Sequence, residues 1–183
     1  MHAVIADYLT DILQNAWQAG STDIQLELVQ EASMFSCTIR DNGCGMNEAG
    51  VQQALDPFWS DGKKHPGRKV GLGLPFLSQA CTDVGGAFSI VSARGEGTTV
   101  SFSFPLAHID CPPIGNLQEA MVQAFCLDGD FELTVVYRRP HANFVLKRSE
   151  LLAALGDLAS AGSIVLLRQY LESMEDSDGE NES

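Results

Sequence analysis

Along the first twenty residues, Ile5, Leu9, Ile12, Leu13 and Ala16 fall on one helical face, and Asp7, Asp11, Asn15 and Gln18 fall on the other. This predicts an amphipathic helix over residues 3–19, stopped by Gly20. Alternation then replaces the helical period. Ile24, Leu26 and Leu28, and after them Phe35, Cys37 and Ile39, alternate with polar neighbours and predict two strands. Asp41-Asn42-Gly43-Cys44-Gly45 has the composition of a turn, and a short helix follows over about residues 47–55. Residues 56–70 show little periodicity and predict a long loop. Gly71-Leu72-Gly73-Leu74 opens an apolar helix that ends near Val84, before Gly85-Gly86. Strands follow at 87–93 and 98–105. After Leu106 the pattern changes: Cys111-Pro112-Pro113 reads as a rigid connector. Beyond it come a helix over 117–125, a hairpin over 131–147 turning near Arg139-Pro140-His141, and helices from about Ser149 and over 163–174. The division is therefore 1–106, an α/β extension at 107–174, and an acidic tail at 175–183 too polar to pack.

Composition narrows the class. The chain has 183 residues, of which 45% are hydrophobic and 19% charged, with a formal charge of −13. That length supports a core without metals or disulfides. The five cysteines are odd in number and form no C-x-x-C, so reduced thiols and a cytoplasmic location are expected. No apolar run is long enough for a membrane span, and the acidic balance argues against nucleic acid as a partner. Six of the 24 acids stand in the last twelve residues, whereas four of the 11 bases, Lys63, Lys64, Arg68 and Lys69, are gathered in the long loop. An anion would be drawn there.

Four short patterns carry candidate chemistry, and each also has an ordinary structural explanation. Asp11 and Asn15, four apart, share a helix face, where they could hold a water, a hydroxyl or a magnesium ion, or could simply be solvated. Asp41-x-Gly43-x-Gly45-Met46 could bring a carboxylate to the exocyclic amine of a purine, or merely turn the chain. Lys69-Val70-Gly71-Leu72-Gly73-Leu74 could offer free N–H groups and a helix dipole to phosphates, or let helices pack closely. Gly95-x-Gly97-Thr98-Thr99 could present a hydroxyl to a base, or form a hairpin. No P-loop occurs, and the three G-x-G pairs lack the third glycine of a dinucleotide fingerprint.

Taken in order, these patterns resemble the ATP-binding domain shared by gyrase-type topoisomerases, the Hsp90 chaperone, sensor histidine kinases and mismatch-repair MutL proteins, over residues 3 to about 106. The resemblance implies an α+β, two-layer sandwich of the Bergerat type, a mixed sheet with helices on one face. It implies ATP and Mg2+ as cofactors. Asn15 would help coordinate the magnesium that bridges the phosphates. Asp11 stands where the family commonly has a glutamate that activates a nucleophile, one methylene shorter. Asp41 would receive the adenine amine, Gly43, Gly45 and Met46 would shape the base pocket, and Thr98 would support the base. Residues 56–70 would form a lid carrying Lys63, Lys64, Arg68 and Lys69. Val70, Gly71, Leu72, Gly73 and Leu74 would lead into the helix that meets the phosphates.

The expected activity is that of a stand-alone bacterial regulatory protein. It would hydrolyse ATP or transfer phosphate to an unidentified partner protein, or else act as a non-catalytic, ATP-controlled binding switch. Only His2 precedes Asp11, which reads against a phosphoacceptor helix and so against a self-phosphorylating sensor histidine kinase. The free edge of the 131–147 hairpin offers a route to a homodimer.

Overall fold

A computed structural model describes residues 4–58, 73–140 and 143–176, the side chains of the last two excepted. Helix α1 spans Ile5–Gln18 and strands β1 and β2 span Asp23–Gln30 and Met34–Asp41. They are followed by α2 (Glu48–Leu55), α3 (Gly73–Asp83), β3 (Ala87–Ala93) and β4 (Gly97–Pro105). The later part adds α4 (Leu117–Phe125), β5 (Glu132–Arg138), β6 (Asn143–Lys147), α5 (Arg148–Leu155) and α6 (Ala161–Asp176).

One mixed sheet runs in the order β3-β4-β2-β1-β5-β6, with β5 parallel to β1 and every other neighbour antiparallel. The strand register explains the two layers. Leu26 lies beside Ile39 and Val135, and Ile39 lies beside Val100. Leu28, Cys37 and Phe102 form the next row, joined by Tyr137. All of these are buried, so one face of the sheet makes the core, as the period of two requires. The alternate rows, such as Gln25, Arg40, Thr99 and Val91, form the open face.

Helix α1 lays Ile5, Leu9, Ile12, Leu13 and Ala16 on the core face, each no more than 3% exposed, which matches its apolar stripe. It packs against β2, α3 and α4, and α4 in turn packs against α6. The start of α1 has no side-chain cap at Val4. Its first N–H groups are satisfied instead by the connector: Ile5 donates to the carbonyl of Pro113 and Ala6 to that of Ile114, both at 2.8 Å. The fold is therefore an α+β two-layer sandwich of the Bergerat type, with β5 and β6 extending the same sheet.

Candidate functional site

Asp41 ends β2 on the core face and is 8% exposed. A buried carboxylate needs donors, and two converge on Oδ1: the Gly43 backbone N–H at 2.8 Å and the Ser21 hydroxyl at 3.1 Å. The Ser21 hydroxyl also lies 2.7 Å from the Ala16 carbonyl, so it ties the end of α1 to Asp41. Among the described residues Oδ2 has no donor, which leaves it for a ligand. The tightness of this corner explains its glycines. A Cβ on Gly43 would lie 2.6 Å from Ala19 Cβ and from Ser21 Oγ, and one on Gly45 would fall 1.9 Å from the Ala93 carbonyl oxygen.

Thr98 pairs with Asp41 across β4 and β2. Its hydroxyl meets that of Ser92 at 2.8 Å, and the Ser92 hydroxyl also donates to the Gly97 carbonyl at 3.0 Å and receives the Met46 N–H at 2.8 Å. The turn after β2 is thereby stitched to the β3–β4 hairpin, holding Met46, half-buried, beside this corner. Ser21 and Ser92 were not among the expected site residues. The signal available for Ser21 was only its place after a helix-stopping glycine, and nothing in the sequence marks Ser92 as chemically different from Ser89, the one other serine of β3.

The second cluster lies where α1 meets α3. Gly73, the first described residue of α3, is so close to Asp11 that a Cβ there would stand 2.9 Å from Asp11 Oδ2. Leu74 is 9% exposed, packed into the core. Asn15, one turn beyond Asp11, is exposed. Asp11 and Asn15 thus present two oxygen-bearing groups on one face of α1 beside the start of α3. Among the described residues no three His, Cys, Asp or Glu side chains gather to hold a metal. Two oxygen groups fit a magnesium ion held mostly by phosphates and water. Lys63, Lys64, Arg68, Lys69, Val70, Gly71 and Leu72, and the lid they were expected to form, lie outside the described residues, as does residue 177 onward of the expected tail.

A concavity of about 450 Å³ is lined by Asp41, Ser92 and Thr98 together with Arg40, Val91 and Thr99. The first three belong to the corner around Asp41 and the last three to the open-face rows, so the concavity borders that corner at the end of the sheet. Among the described residues no helix is long and apolar enough to cross a membrane.

The family model of histidine kinase-, DNA gyrase B- and HSP90-like ATPases matches residues 3–108. A sensor protein of Shewanella frigidimarina is 33% identical over 105 residues, which is 56% of this chain and 16% of that protein. Sensor histidine kinase WalK of Bacillus subtilis is 25% identical over 105 residues, 56% of this chain and 17% of that kinase. The cell-division control histidine kinase PdhS of Brucella canis is 40% identical over 78 residues, 37% of this chain and 7% of the kinase. Among solved structures, the nucleotide-free catalytic domain of histidine kinase ThkA aligns at 20% identity and a TM-score of 0.40, covering 52% of this chain and 61% of that one. The chain spans less than a fifth of each of these three relatives. They correct one expectation: the exclusion of a self-phosphorylating sensor histidine kinase does not stand, because several relatives are named sensor histidine kinases. The residues ahead of Asp11 carry no weight against that likeness. The chain belongs to the histidine kinase-, DNA gyrase B- and HSP90-like ATPase family, and residues 3–108 are its ATP-binding domain.

Proposed function

We propose that residues 1–106 bind Mg-ATP and pass its γ-phosphoryl group to a protein side chain, as the likeness to sensor histidine kinases implies, with residues 107–174 as an attached α/β extension. The observation that carries this reading is Asp41: a buried carboxylate with one oxygen fixed by Ser21 and Gly43 and the other left open. Such an oxygen accepts the exocyclic amine of adenine and rejects the carbonyl that guanine presents there. Thr98, held by Ser92, supports the same ring edge, and Gly43, Gly45 and Met46 form its walls.

From the base, the triphosphate extends toward the junction of α1 and α3. The N–H groups at the start of α3 would receive phosphate oxygens, aided by the helix dipole, and Lys63, Lys64, Arg68 and Lys69 would add charge. Asn15 offers its amide oxygen to magnesium, which when bound offsets the phosphate charge. Asp11 orients the attacking nucleophile or takes its proton. Its carboxylate is one methylene shorter than glutamate, and that favours a second reading, an ATP-controlled binding switch with slow turnover.

The test is calorimetric titration of ATP, ADP and GTP with and without magnesium, for wild type and Asp41→Asn. We expect ATP to bind, GTP to bind much more weakly, and Asp41→Asn to lose roughly 10- to 100-fold in ATP affinity, the range for a charged acceptor lost from a buried site. Equal affinities for ATP and GTP, or an unaffected Asp41→Asn, would overturn the reading. Transfer of labelled γ-phosphate, lost in Asp11→Asn while ATP still binds, separates catalysis from the switch.

A further inference from the structure

We infer that the free edge of β3 pairs with β3 of a second copy of this chain, antiparallel and centred on Ile90, joining the two six-stranded sheets into one. β3 is an outer strand bonded on one side to β4. On its other side, between Phe88 and Ser92, no backbone group among the described residues bonds it. An exposed strand edge is a template for pairing, and proteins blunt such edges with charge, proline or a bulge. The seven residues Ala87-Phe88-Ser89-Ile90-Val91-Ser92-Ala93 carry neither charge nor proline. The opposite edge differs: β6 has five residues and ends in Lys147. Val91 is 70% exposed on the open face, and Phe88 and Ile90 are only half-buried at the margin of the core face.

The sequence of β3 suits its own copy. A two-fold axis at Ile90 sets Phe88 opposite Ser92, Ser89 opposite Val91 and Ala87 opposite Ala93. Residues 88, 90 and 92 share the core face and residues 87, 89, 91 and 93 the open face, so both faces continue across the seam. A slip of one residue would oppose core positions to open ones.

Charge complementarity selects this occupant and register. Carrying the pairing one step outward places Arg94 of each copy opposite Gly86 of the other. There α3 finishes with Asp83 and has no base in its last turn, so both the carboxylate and the negative helix end favour a cation. Arg94 is exposed and has no ion-pair partner among the described residues. The two-fold axis makes this contact twice, once at each end of the seam.

The experiment is sedimentation velocity of the full chain from micromolar to submillimolar concentration, with hydrogen exchange at both extremes. We expect a monomer–dimer equilibrium and slower exchange, as dimer forms, of those 88–92 amides that face away from β4. Ser89→Lys, a charge on the open face of the edge, should abolish the dimer. Arg94→Glu should weaken it roughly tenfold, since each repulsive pair replaces an attraction of modest size, and Arg94→Glu with Asp83→Arg should restore it. The charge swap stands even if Ser89→Lys fails to fold, which circular dichroism reveals. A monomer at every concentration, a dimer indifferent to all three variants, or outward-facing 88–92 amides protected equally in dilute monomer, which would mean the chain covers its own edge, each overturns the inference.

Discussion

A side chain at position 45 has nowhere to go. Gly45 has φ +58°, and its would-be Cβ meets backbone rather than a side-chain tip that could swing aside. Gly45→Ala should therefore cost more than the roughly 1–2 kcal/mol of the left-handed conformation alone, and should weaken ATP binding by moving the turn after Asp41. Urea unfolding checks the first effect, and an unchanged midpoint would mean that the turn yields freely. The same turn carries Cys44, which is exposed, whereas Cys37 and Cys81 are buried. Burial raises both buried thiols, that of Cys81 to about 12, which keeps them protonated and poor nucleophiles. Alkylation near pH 8 should modify Cys44 first and leave those two intact, and peptide mapping by mass spectrometry reads the order directly. At this scale, Asp41 and its glycines were legible because glycine next to aspartate after a strand is a local pattern. Ser21 and Ser92 were not, because each matters through a partner distant in the chain.

Among the elements, helix and strand ranges followed from periodicity, down to α4 at Leu117–Phe125. The parallel seating of β5 on β1 could not be read, because two apolar strands a hundred residues apart carry no mark of which neighbour each prefers. What fixes the later elements is Arg148. It is 8% exposed, donates to the carbonyls of Phe125, Leu127 and Phe131, and lies over the Phe131 ring. Arg148→Met keeps the volume but strips three carbonyls of their donor, and should cost about 3 kcal/mol or more; chemical denaturation measures it. Two carboxylates tie these elements with a pH signature. Hydrogen bonds from Arg168 on α6 hold Glu119 of α4 below the ordinary glutamate value of 4.5. Burial alone would raise Glu132, but bonds from Ser149 and from the Leu133 N–H outweigh it, and its pKa is also lowered. A carboxylate depressed in the folded state contributes fully above its unfolded pKa, and that contribution is lost as pH falls through the folded one. The urea midpoint should be flat near neutrality and fall below about pH 4.5, with a shallower fall in Glu119→Gln. An acid limb unchanged by that substitution would remove Glu119 from the account.

Across the whole molecule, the ATP-binding domain and the segment after it share one sheet and one continuous core. β1 stands between β2 and β5, so the central strand cannot lose either neighbour without exposing both halves. The first turn of α1, the helix of Asp11 and Asn15, is held by Pro113 and Ile114, and the Trp17 indole N–H donates to the Asp128 carbonyl at 2.7 Å. Each of these links crosses from one half to the other, which argues for a single cooperative transition. Trp17 reports that seam. In a Trp59→Phe chain, the thermal midpoint from Trp17 fluorescence should coincide with that from far-ultraviolet dichroism. Saturating Mg-ATP should raise both together, because a ligand bound only by the folded state stabilises whatever unfolds with its site. Arg148→Met, far from the nucleotide, should lower both equally. If instead the fluorescence and dichroism midpoints separate, or ATP shifts only one of them, the later segment folds on its own and the brace on α1 does not couple it to the site.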